Sequence, residues 1–87
     1  MRVLRIISKS GLFYEVKAND GTVAFHKDKE AVGYGTTEAS NFLSLLSGAY
    51  FVSLVASIVS SYDYSTILKD RKVSLVVNSI ESVMEVE

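Results

Sequence analysis

Histidine occurs once in this 87-residue chain, at His26, and cysteine not at all. The missing cysteines exclude disulfides, thiolate metal sites and any thiol chemistry carried by the chain itself. His26 falls in a stretch of strand-like alternation, on the side of Ala24 and opposite Val23 and Phe25. No second histidine and no close carboxylate pair completes a metal site around it, so it reads as an exposed or rim residue. Asp28, Glu30 and Glu38 surround a glycine-bearing loop. They have the chemistry to meet a cation or a partner's basic residues, though a solvated loop is the plainer reading. Gly33-Tyr34-Gly35 lacks the glycine spacing and the following lysine of a phosphate loop. Seven serines lie between Ala39 and Tyr62, but with one strand histidine they make no Ser-His-Asp arrangement. Nine basic residues against ten acidic ones leave a net charge of −1, and only Lys69, Arg71 and Lys72 cluster. That is a solvated strand start rather than a phosphate clamp, and no electrostatic footprint for nucleic acid is present. No catalytic, cofactor or metal-binding set is therefore expected. Tyr50 and Phe51 are expected in the core, and Tyr62 and Tyr64 could line a pocket mouth.

Whatever positions these residues is dominated by one run. Ala39 to Tyr62, ASNFLSLLSGAYFVSLVASIVSSY, holds 24 residues without a charge. As a helix it would span about 36 Å. Thr36 or Thr37 can cap such a helix and Glu38 suits its N-terminal end, so a helix over 38–62 is expected. Before it, Arg2–Ile7, Leu12–Ala18 and Thr22–Lys27 carry β-branched or alternating patterns, with a turn at Ser8-Lys9-Ser10-Gly11. Asn19-Asp20-Gly21 supplies a tight hairpin turn, which makes the first third an antiparallel three-stranded meander. Asp28 to Gly35 is expected as a loop and Asp63 to Asp70 as a connection. One or two further strands follow, at Val73–Val77 and Val83–Val86. The order β-β-β-α-β-(β) predicts one α+β domain over residues 1–87, with a single helix covering a sheet.

The serines decide where such a helix sits. Ser40, Ser44 and Ser47 form one stripe; Ser53, Ser57 and Ser60 form another on a different side. With no single polar face, the helix must be enclosed. Gly48, Ala49, Ser53, Ala56 and Ser57 would let a symmetry mate approach closely. A chain this short with 48% hydrophobic residues is expected to finish its core by association, as a homodimer through the 38–62 helix and the sheet. A membrane span is the alternative, but it would leave sheet fragments on opposite sides of the bilayer, each too small to bury its own apolar face. The N-terminal apolar stretch is too short for a secretory signal, so the cytoplasm is the expected compartment.

The stretch Gly33 to Leu54, GYGTTEASNFLSLLSGAYFVSL, resembles the central helix signature of the OsmC/Ohr family, in which a glycine-rich loop leads into a leucine- and alanine-rich helix. The preceding strands and the later Lys72–Val77 strand agree with that order. The resemblance implies an intertwined dimer whose active site forms between subunits. It also sets Ala49 where the family has its reactive cysteine. The family's helix-start glutamate falls around Ala39 or Ser40, with Glu38 displaced, and Thr36-Thr37-Glu38 replaces a proline-containing turn. Peroxide reduction of that kind needs one thiolate to attack and a second thiol to resolve the sulfenic acid. The resemblance thus implies a disarmed N-terminal half-domain: a homodimeric structural or apolar-ligand-binding module with a candidate pocket at Ala49, Tyr50 and Ser53. The alternatives are half of a split thiol peroxidase completed by a cysteine-bearing chain, and a small single-span membrane protein.

Overall fold

In a computed structural model of the chain, residues 3–17, 23–35 and 39–86 are described. Phe51 to Ser60, expected as the second half of a long helix, is a ten-residue strand at the centre of the sheet. Its buried residues are Val52, Leu54, Ala56 and Val59, while Ser53, Val55 and Ser57 alternate with the first three on the other side. A period of two with four β-branched residues, Val52, Val55, Ile58 and Val59, favours a pleated strand. The helix stops early because Ser47-Gly48 ends its apolar stripe. The Gly48 amide donates to Leu45 O at 3.3 Å, the Ala49 amide to Leu46 O at 3.1 Å, and the Ser47 hydroxyl to Ser44 O at 3.0 Å.

In chain order the strands are β1 (Val3–Ser8), β2 (Leu12–Lys17), β3 (Val23–His26), β4 (Ala31–Gly35), β5 (Phe51–Ser60), β6 (Thr66–Val76) and β7 (Ile80–Val86). The helix α1 (Ala39–Leu46) lies between β4 and β5, and a 3-10 turn at Val77–Ser79 joins β6 to β7. The α+β class holds, as a mostly antiparallel sheet with one helix. The three-stranded meander does not. β1 and β2 form the expected hairpin, turning through Gly11 at φ +90°, a conformation that favours glycine. β2 and β3, however, pair not with each other but with the same edge of β5. β3 lies against Phe51–Ser53 and β2 against Ser57–Ser60. The expected turn at Asn19-Asp20-Gly21 lies outside the described residues, as do Thr36, Thr37 and Glu38.

Two expected irregular segments are strands. Ala31–Gly35 returns from the Lys27–Glu30 turn to pair with β3 as β4. Thr66–Asp70 belongs to β6, which runs along the other edge of β5 as the arm of a long hairpin. At that hairpin's end the Ser60 amide donates to Ser65 O at 2.9 Å and the Tyr64 amide to Ser60 O at 3.1 Å. The sheet path is β4-β3-β5-β2-β1-β7, with β6 attached to β5. α1 packs on β4 and on β7, the two ends of that path. The result is a half-closed roll with the helix across its gap.

The core fills this roll. Leu4 and Ile6, Tyr14 and Val16, Val23 and Phe25, Val52, Leu54, Ala56 and Leu75 meet Phe42 and Leu46 of α1. Phe42, Leu45, Leu46 and Ala49 recur at helical spacing and all belong to or pack on the core. The Phe25 and Phe42 rings lie 5.3 Å apart at 60°, a tilted pair contributing about 0.5–1.5 kcal/mol beyond its burial. The radius of gyration is 11.8 Å, close to the ~12 Å of one compact chain of this length. The core thus forms within one copy. The 38–62 helix that was to carry a dimer is not formed. Among the described residues no helix is long and apolar enough to cross a membrane.

Candidate functional site

The outer face of β3, β5 and β6 is ordered by register into rows that cross the strands. His26 stands opposite Phe51, and Phe51 opposite Val76. One step along, Ala24 faces Ser53 and Ser53 faces Ser74. The next row pairs Val55 with Lys72. A row of three small side chains between two rows of larger ones leaves a depression in the sheet surface. There a cavity of about 420 Å³ opens, lined by Ala24, Ser53, Val55, Lys72 and Ser74 with the Leu54 and Val73 positions between them. That volume falls in the range of small-molecule sites, about 300–1,000 Å³.

The trough has distinct ends. On its floor the Ser53 and Ser74 hydroxyls are 3.4 Å apart. Lys72 is exposed and is the only charged residue of the lining. Among the described residues it has no ion-pair partner. Beyond the opposite end the His26 and Phe51 rings stack with centroids 4.5 Å apart and planes 3° apart. Both His26 ring nitrogens are shielded from solvent and have no hydrogen-bond partner among the described residues. An unsatisfied buried nitrogen costs about 1–3 kcal/mol, and here the flat contact with Phe51 offsets part of it.

A second outer-face cluster lies toward the hairpin end. Arg5 faces Glu15 across β1 and β2. Its Nη2 and Nε atoms both reach Glu15 Oε2, at 2.7 and 2.9 Å. The guanidinium carbon sits 5.3 Å from the ring centroids of both Phe13 and Tyr64, which are 5.9 Å from each other. Tyr64 reaches this place from a left-handed backbone at φ +58°. Its loop is tied by Asp63, whose carboxylate accepts from the Ser65 amide at 3.1 Å and the Ser65 hydroxyl at 2.7 Å. Those bonds hold the Asp63 carboxyl below the usual aspartate value. The Arg5–Glu15 ion pair and the two rings against the guanidinium fasten the hairpin base to β1 and β2. A smaller cavity of about 230 Å³ beside it is lined by Val3, Glu15, Ser57, Thr66 and Lys69.

The three residues expected to share a pocket are separated. Ser53 lies in the trough floor. Ala49, placed one helical turn before it by the sequence reading, sits in the link after α1 and packs against the core. Tyr50 is 65% exposed, and its backbone is bound to both neighbours, donating to His26 O and accepting from the Val77 amide at 2.8 Å each. Ala24, Val55, Lys72 and Ser74 were not singled out as site residues. The signal that could have found them is the two-residue alternation of Phe51–Ala56 and Lys72–Val76. Asp28 and Glu30 are exposed in the turn between β3 and β4. Tyr62 is 95% exposed and stands clear of both cavities. No group of three or more His, Asp or Glu able to hold a metal ion occurs among the described residues.

The stretch that resembles the OsmC/Ohr family, Gly33 to Leu54, runs here from β4 through α1 into β5, with Ala49 in the link after the helix. Comparison with protein-family models, curated proteins and solved structures finds no match for this chain.

Proposed function

We propose that the chain is a small binding module without catalytic chemistry, and that its working surface is the trough floored by Ala24, Ser53 and Ser74. The observation that carries this reading is the row of small residues crossing three strands between the bulkier rows of His26–Phe51–Val76 and Val55–Lys72. Such a row leaves space that a sheet surface otherwise fills. The lack of chemistry rests on the partners: the Ser53 hydroxyl lies against Ser74, and neither His26 nitrogen meets a hydroxyl. Among the described residues no serine is coupled to the histidine, and the Ser65 hydroxyl that meets Asp63 lies in the β5–β6 loop away from the trough. The ligand is apolar over most of its surface, since Ala24 and Val55 flank the two hydroxyls. A neutral apolar dye such as Nile red tests it. Its fluorescence should rise on mixing with the folded protein and fall at least tenfold in apparent affinity in Ser53→Trp, whose ring fills the floor. Equal binding by that variant, with an unchanged melting temperature, rejects the trough as the site.

Self-association is a second reading, favoured by one observation. Among the described residues β6 pairs only with β5, which leaves its other edge unpaired by them, and Ile67 and Leu68 of β6 are 54% and 42% exposed. An open apolar edge is a template for another strand. Light scattering that gives the mass of a single chain at high micromolar concentration ends this reading and leaves the trough untouched.

A further inference from the structure

We propose that the trough takes a medium-chain carboxylate, with Lys72 as the anchor for its charged end; this rests on the trough being a binding site at all. Lys72 is the only charge in the lining, is exposed and has no ion-pair partner among the described residues. Among the described residues no carboxylate lines the cavity, so an incoming anion meets attraction at Lys72. Away from Lys72 the surface becomes apolar in steps: Val55 beside it, the Ala24–Ser53–Ser74 floor, then Phe51 and Val76. From Lys72 to Val76 a strand advances about 13 Å, which suits an extended chain of medium length with its head at the lysine. The hydroxyls midway lie 3.4 Å apart, which satisfies one donor and one acceptor within the pair. Three basic residues between Lys69 and Lys72 and a chain net charge of −1 fall short of the larger basic clusters that a membrane surface recruits. The occupant is therefore a free monomeric carboxylate.

The test compares decanoate with 1-decanol, each below its aggregation limit, by amide chemical-shift titration at low salt and at about 150 mM salt. Decanoate should bind about threefold to fivefold more tightly than the alcohol at low salt, the size expected for one exposed ion pair, with the gap shrinking as salt rises. Shifts should centre on Ala24, Ser53, Val55 and Ser74. Lys72→Gln should bring decanoate down to the alcohol and leave the alcohol unchanged, while Lys72→Arg should keep the preference. Equal affinity for both ligands, or no effect of Lys72→Gln, overturns the anchor and leaves the apolar trough standing. Failure of both ligands to bind overturns the trough with it. Flotation of the protein with anionic phosphatidylglycerol vesicles, without decanoate binding, overturns the choice of a free carboxylate.

Discussion

Alanine substitution along β5 separates a strand from a helix in one series. Val52 and Leu54 point into the core and are 0% and 5% exposed, while Val55 lies on the outer face. Truncating Leu54 removes a buried isobutyl group and leaves a cavity, a loss of about 2–5 kcal/mol. Val52→Ala removes two buried methyl groups, at about 0.8 kcal/mol each before any cavity contribution. Val55→Ala exposes no core and should stay within about 0.5 kcal/mol, as surface changes do. A chain of this size has roughly 4–13 kcal/mol of stability in all, so Leu54→Ala takes a large share of it and the milder Leu54→Val gives a second reading at the same position. Urea unfolding followed by circular dichroism gives the differences, and in melting temperature each kcal/mol corresponds to about 4–8 °C. The expected profile falls at 52 and 54 and recovers at 53 and 55. If Val55→Ala is as damaging as Leu54→Ala, or if the sensitive positions repeat every third or fourth residue, β5 is not a strand and the trough does not exist.

Two further outcomes follow from the hairpin cluster. A double-mutant cycle of Arg5→Ala and Glu15→Ala, read by urea unfolding, should give a coupling of about 1 kcal/mol, because the pair is partly shielded at 18% and 26% exposure yet still wetted; a coupling of zero removes its fastening role. Asp63 should titrate below its ordinary value of 3.8 because Ser65 donates to its charged form. Since the folded state lowers this value, its small contribution is present above the unfolded value and lost as pH falls through the folded one. Carbon-detected titration of Asp63 should show the depression vanish in Ser65→Ala, and an unchanged titration there would refute the assignment.

The strands β1, β2 and β3 are legible in the sequence because each places its apolar residues on alternate positions, Leu4 and Ile6, Tyr14 and Val16, Val23 and Phe25. How they pair is not. The Asn19-Asp20-Gly21 signal is local and speaks for a hairpin, whereas the partner that takes both β2 and β3 is β5, more than 20 residues away. β5 was hidden for a different reason. Its serines at 53, 57 and 60 recur at spacings of four and three, and a charge-free run carries none of the alternating charges that mark an ordinary half-exposed strand. The inner positions 52, 54 and 56 keep strict alternation, and that was the better guide. Of the trough, the sequence marks only Ser53 as a pocket residue, as a helical neighbour of Ala49, and Lys72 as part of a solvated strand start. Ala24, Ser53 and Ser74 become neighbours only through the registers of two separate ladders, which no local pattern encodes.

The same charge-free run gains a second meaning once it is folded. Its inner half belongs to the core and needs no explanation. Its outer half, Phe51, Ser53, Val55 and Ser57, faces away from the core, where a sheet is commonly polar. Charges do occur on the flanking strands, Glu15 on β2 and Lys69 and Lys72 on β6, so the outer face as a whole is not averse to them. They stop at β5. A lysine or glutamate at 53 would fill the trough and place a charge on its floor. Serine and valine there leave the trough open and uncharged, which is the condition the proposed apolar ligand needs.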